Sequence, residues 1–209
     1  MKKIFLLLIL FGVSIVNAQK YTFNTLTRYS FNSGGEVVSY TNFDNHTYVL
    51  RLIKTEYSFM ANLYDYKSMR IHRFNVTETK SKEGFLLKFD YDNSTNLISS
   101  SRREFKKYIY DFKTIEIKDS IKKVTLNIYS NSKKKKSIRS YDLEIKNSND
   151  NHFPVFRQSC IHPYEDVEKL NTFENGIVIS AKGKTTTGEI PLFKLEEYVK
   201  VDFELDIPK

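Results

Sequence analysis

The chain has 209 residues, 14% of them aromatic, with 33 Lys and Arg against 25 Asp and Glu for a formal charge of +8. That aromatic content argues against disorder, and the length suits one domain rather than two. Cys160 is the single cysteine, which excludes an intramolecular disulfide and leaves stability to the core.

The first eighteen residues read as an export signal. Lys2 and Lys3 give a positive start, Ile4 to Val16 form a nearly continuous apolar run, and Val16-Asn17-Ala18 offers small or modest side chains where signal peptidase cuts. The apolar run is shorter than the roughly 20 residues a spanning helix needs, and no Cys follows it to accept a lipid. The expectation is cleavage after Ala18 into residues 19–209, a mature chain without a transmembrane segment in the periplasm or outside the cell. Losing Lys2 and Lys3 lowers the basic count from 33 to 31 against 25 acids, so +8 becomes +6. An excess that small, spread along the chain, does not specify a nucleic-acid partner. Asn and Lys richness points to an AT-rich bacterial genome. The tripeptides at Asn45, Asn75 and Asn93 are therefore read as turn chemistry rather than glycosylation sites.

From the mature start onward, period-two alternation of Tyr, Phe, Val and Ile between Asn, Ser, Gly and Asp clusters predicts short strands. Residues 20 to 31 and 36 to 43 flank Asn32-Ser33-Gly34-Gly35, where glycine supplies the positive φ of a hairpin turn. Residues 47 to 54, 56 to 64 and 68 to 76 follow as a meander. In the first of these, Tyr48, Leu50 and Leu52 alternate with Val49 and Ile53, so both faces of the strand call for cover. Residues 85 to 91 form a strand that runs into a turn at Asp92-Asn93-Ser94-Thr95-Asn96, and 105 to 118 form two strands or one bent strand. Val124, Leu126 and Ile128, then Tyr141, Leu143 and Ile145, make the clearest hairpin. Pro163, Glu165 and Asp166, with Tyr164, Val167 and Leu170, predict a short helix near 163–172. Strands return at Ile177 to Ser180 and from Val199 to Ile207. The expected fold is mostly antiparallel all-β, about 11 to 13 strands in a curved sheet, sandwich or partly closed barrel, with that one helix against it.

Four groups of residues carry candidate chemistry. Cys160 and His162 would share a face of an extended segment, as a thiol nucleophile and its base would, whereas a free Cys is ordinarily a small buried hydrophobe. The same pair, with distant His152, is too sparse for a zinc motif, and no metal or other cofactor is expected. Asp90, Asp92 and Ser94 imitate the start of a calcium loop, but Thr95 and Ser101 stand where the glycine and the bidentate acid belong. Lys133, Lys134, Lys135 and Lys136, with Arg139 just beyond, form a cationic hairpin tip suited to anionic surfaces, or simply to solubility and protection of an edge. No serine-hydrolase elbow, phosphate loop, dinucleotide fingerprint or zinc-protease motif occurs.

The functional expectation is an exported, non-enzymatic binding or envelope-associated protein. Its partner would be an apolar small molecule, held in a pocket lined by Tyr and Phe, or an anionic envelope component. The alternatives are a hydrolase-type enzyme using Cys160 and His162, and a structural or adhesive module acting through Lys133 to Lys136 or strand edges.

Overall fold

The computed structural model describes residues 19–32, 34–82, 84–97, 109–130, 133, 136–161, 175–184 and 191–208. In chain order the first strands are β1 (Gln19–Phe31), β2 (Glu36–Thr41), β3 (Tyr48–Lys54), β4 (Phe59–Asp65), β5 (Arg70–Ser81) and β6 (Gly84–Asn96). The second set is β7 (Ile109–Lys118), β8 (Ile121–Tyr129), β9 (Arg139–Lys146), β10 (Ile177–Lys184) and β11 (Leu192–Ile207). Between β9 and β10 lies a helical segment made of α1 (Phe153–Phe156) and a π-helical turn (Arg157–Ile161). No helix among the described residues is long and apolar enough to cross a membrane.

All eleven strands join one antiparallel sheet in the order β6-β5-β4-β3-β2-β1-β11-β10-β9-β8-β7, with β6 and β7 at its open edges. Every neighbouring pair but one is consecutive in sequence, as the short connections predict. The exception is the first strand with the last: β1 and β11 pair from Gln19↔Ile207 to Phe31↔Phe193 and so join two meanders. The turn of the β1–β2 hairpin uses glycine as expected, with Gly34 at φ 83° and its amide donating to the Phe31 carbonyl.

The sheet turns over at its centre. Thr25, Thr27 and Tyr29 share one face with Thr41, Ser39 and Arg51, as the β1–β2 and β2–β3 registers require. Tyr21 and Phe23, earlier in the same row of β1, instead pack with Tyr48, Leu50, Leu63 and Phe74 on the other face of β3 to β5. Both facts hold together because β1 leaves β2 at Thr25 and bends round its end, carrying β11 with it. β11 has one more residue than β1 between Phe23↔Phe203 and Thr25↔Lys200, and another between Arg28↔Glu197 and Tyr29↔Leu195. Bulges of this kind let a strand bend and pass between packed layers. The bent end is tied down by hydrogen bonds from Tyr21 Oη to Asp65 Oδ2 (2.6 Å), from Tyr48 Oη to the Thr22 carbonyl (2.8 Å) and from Gln19 Nε2 to Asp65 Oδ2 (3.3 Å).

Two faces therefore need cover, and two devices supply it. The helical segment lies on the face of Thr27 and Tyr29 over the C-terminal strands, where Phe153 and Phe156 join Val124, Leu126, Leu143 and Ala181 in one core. The bent ends of β1 and β11 cover the opposite face of the N-terminal strands. Val49 and Leu50, adjacent in β3 and pointing to opposite faces, are both fully buried, as their alternation predicts.

Two stretches differ from expectation, and the expected helix near 163–172 lies outside the described residues. Asp92 to Asn96 is strand rather than turn, paired with β5 as far as Arg70↔Asn96, with Asp92 taken up as the extra residue of a bulge. Turn propensity yields there to cross-strand bonding: Ser94 Oγ lies 2.5 Å from His72 Nδ1 and 2.7 Å from Tyr91 Oη. The helical segment at 153–161 is the second. His152 to Ser159 are all buried, so the segment has no wet face to leave a helical period in the sequence. Of the two forms expected between 105 and 118, two strands or one bent strand, the described part takes the second: it is one strand, β7, with a bulge between Thr114 and Glu116.

The fold-back can be checked by mutation. Phe23 is 1% exposed, with ring centroids 5.5 Å from those of Tyr48 and Phe203. Phe23→Ala should cost about 3 to 5 kcal/mol in urea unfolding. Phe85→Ala, at an exposed position of β6, should stay within about 0.5 kcal/mol. Equal effects would contradict the fold-back.

Candidate functional site

The described structure has two places where polar chemistry gathers. The first is a seam between the sheet and the helical segment. Thr25, Thr27, Ser39 and Thr41 are fully buried in its floor, and Arg157, Gln158 and Ser159 lie buried above them. Arg51 crosses from β3 and donates through Nη2 to the carbonyls of Gln158 (2.5 Å) and Ser159. Gln158 Nε2 donates to the His46 carbonyl (2.7 Å), and the Thr27 and Ser159 hydroxyls meet at 3.5 Å. Tyr29 Oη, beneath Phe156, donates to the Val178 carbonyl at 2.9 Å. A guanidinium on two backbone carbonyls is a charge-assisted contact, so the seam fixes where the segment sits. Among the described residues these contacts hold the segment against the sheet.

Cys160 lies at the end of this segment. Its half-buried side chain packs against the C-terminal core, and burial pushes the thiol well above its ordinary range, with nearby Arg51 opposing weakly. A reactive thiol needs the opposite shift. Cys160 itself lies in a π-helical turn rather than in an extended segment, and His162 lies outside the described residues. Among the described residues no three His, Cys, Asp or Glu side chains group as a metal site requires.

Three histidines surround these contacts or the fold-back, His72 and His152 buried and His46 half-buried. Burial lowers His46 to about 4, with Arg157 adding to the effect. His152, packed between Phe43 and Tyr198, is lowered by burial and by Lys200, against Asp150. His72 is lowered by burial, against Asp65.

The second place is a groove of about 550 Å³ on the opposite face of the C-terminal strands. Its floor is Thr125 and Lys123 of β8, Asp142 and Glu144 of β9, and Ser180 and Lys182 of β10. Register explains the set: Thr125, Asp142 and Lys182 face one another across three strands, as do Lys123, Glu144 and Ser180. Two apolar side chains flank it, Ile115 at the β7 bulge (60% exposed) and Leu192 at the start of β11 (42% exposed). This face is the one that the bent ends of β1 and β11 cover over the N-terminal strands. The lining is charged and aliphatic, not the Tyr and Phe expected of a pocket. Five strands contribute to it, so no local spacing in the sequence could have marked it.

The other expected site residues are scattered. Lys133 and Lys136 are exposed in the β8–β9 loop, as a hairpin tip requires, while Lys134 and Lys135 lie outside the described residues. Arg139 opens β9, half-buried beside Tyr141. Asp90 pairs with Lys88 at 2.7 Å, and Asp92 accepts from Asn93 Nδ2 at 2.8 Å, so these acids sit along a strand rather than around an ion loop. No family model matches the chain, and no curated protein matches its sequence.

Two measurements follow. The native Cys160 thiol should react with a disulfide reagent at neutral pH roughly tenfold or more slowly than in urea, and Cys160→Ser should cost on the order of 1 kcal/mol. A native rate matching the unfolded one would restore the nucleophile. The histidines set a pH dependence. Each has a folded pKa below its unfolded value of 6.5, so the unfolded chain binds more protons as pH falls. Stability should be fully present above about pH 6.5 and decline from there toward the folded value of about 4 for His46. A urea midpoint flat across that window would contradict the burial of these rings.

Proposed function

We propose that the chain is an exported binding module that takes an amphipathic, anionic partner on the open face of its C-terminal strands. The observation carrying this reading is the groove itself. Among the described residues the sheet covers this face over one half only, and over the other Ile115 and Leu192 are exposed around a floor of opposite charges. Exposed apolar side chains around a concave polar floor are what a ligand with an apolar body and a charged head uses. Lys123 and Lys182 supply cations for the head, and their aliphatic stems extend the apolar wall. The raised thiol of Cys160 favours binding over nucleophilic catalysis. Export rests on the Lys pair, the apolar run and Ala18.

The test is an NMR titration of the purified mature chain with a medium-chain fatty acid and, separately, with anionic vesicles. Saturable shifts should centre on Thr125, Asp142, Ser180 and Lys182, and Leu192→Asp with Lys182→Glu should abolish them. Saturable binding that leaves these amides unmoved, or no binding to either probe, overturns the groove. Protein recovered from the cell envelope or medium should begin at Gln19, and intact Met1 to Lys209 in the cytoplasm would overturn export.

A further inference from the structure

Among the described residues β7 is an open edge of the sheet, and it carries two exposed isoleucines, Ile115 (60%) and Ile117 (62%). Open edges present unpaired backbone groups and are ordinarily kept short, charged or covered. β7 is charged, but its charges are arranged in an order that a like strand can answer. Asp111, Lys113, Glu116 and Lys118 face Asn127, Thr125, Lys123 and Ile121 of β8, which alternate along one side of that strand. All four charges therefore project from the same face of the sheet. The bulge between Thr114 and Glu116 makes this possible, because without the extra residue Glu116 and Lys118 would point the other way.

We propose that β7 pairs antiparallel with β7 of a second copy of this chain about a two-fold axis through the bulge at Thr114 and Ile115. In that register Lys113 faces the partner's Glu116 and Asp111 faces the partner's Lys118, each pair formed twice by the symmetry. On the other face Phe112, which extends the C-terminal core, meets the partner's Ile117. The adjacent registers do the opposite. Sliding by two residues sets Lys113 against Lys118 in one direction and Asp111 against Glu116 in the other. Cross-strand opposites stabilise and like charges destabilise, so the sequence selects one register from its neighbours. Glu116 already contacts Lys123 of its own chain at 2.9 Å, and that exposed carboxylate can hold both lysines. An isologous contact closes on itself, so the product is a dimer rather than a fibre. The arrangement shares Ile115 with the groove wall and sets two grooves side by side on a continuous sheet, but it does not depend on what the groove binds.

Sedimentation of the purified mature chain should show a reversible monomer–dimer equilibrium. Lys113→Glu places Glu against Glu, and Glu116→Lys places Lys against Lys, so either should raise the dimer Kd by roughly tenfold or more. Circular dichroism checks that each variant is folded. Mixing the two variants in equal amounts makes every facing pair opposite again and should restore a heterodimer, as should the double swap K113E/E116K within one chain. A chain that stays monomeric into the millimolar range overturns the proposal. So does a dimer indifferent to both single variants, or a mixture that fails to associate.

Discussion

The ladder between β1 and β11 is the contact on which the rest of the molecule depends. Each meander assembles from strands consecutive in sequence, but the two meanders stay separate until the first and last strands meet. Closing that loop costs chain entropy over the span from Gln19 to Ile207, and the gain is a ladder from Gln19↔Ile207 to Phe31↔Phe193, interrupted by two bulges. The same pair of strands supplies the bend. β11 carries the two extra residues, and the ends of both strands swing over β3 to β5, so the joining of the two meanders and the cover for one face of the sheet are a single event.

That bend also decides where the molecule is open. Tyr21, Phe23, Phe203 and Leu205 fill the face of the N-terminal strands with aromatic and aliphatic contacts. The corresponding face of the C-terminal strands receives no such cover from the bent ends, and there the strands carry Thr125, Asp142 and Lys182 in place of large apolar groups. The sequence has adapted to each environment: apolar on both sides where β3 is enclosed, strictly alternating where β8 and β9 have one wet face. The helical segment completes the other face. Its backbone carbonyls need donors once buried, and Arg51 provides them from the sheet, while Thr27 and Gln158 set its position along the seam.

Much of the fold was legible because strand periodicity survives in short windows. The Val124-Leu126-Ile128 and Tyr141-Leu143-Ile145 rows, the glycine turn before β2 and the double-sided burial of β3 are local patterns with local causes. The errors have equally specific causes. Residues 153–161 are helical with every side wrapped in protein, which erases the amphipathic signal. Asp92 to Asn96 has turn composition, but Ser94 finds partners in His72 and Tyr91, and tertiary context overrides propensity. The candidate site was hidden for a different reason. Cys160 and His162 drew notice because they are rare residues close in sequence, whereas the groove gathers common residues from five strands whose proximity is created by the ladder order.

Amide hydrogen exchange tests this account most directly, because it ranks the strands by the free energy needed to open them. If the β1–β11 ladder holds the two meanders together, the backbone amides of its central span, from Thr25 to Tyr29 and from Leu195 to Lys200, should exchange only through global unfolding. The edge strands β6 and β7 should open at much lower cost. Central amides that exchange as fast as the edges, while either meander stays protected, would mean that the halves are separately stable and that the ladder is not what unites them.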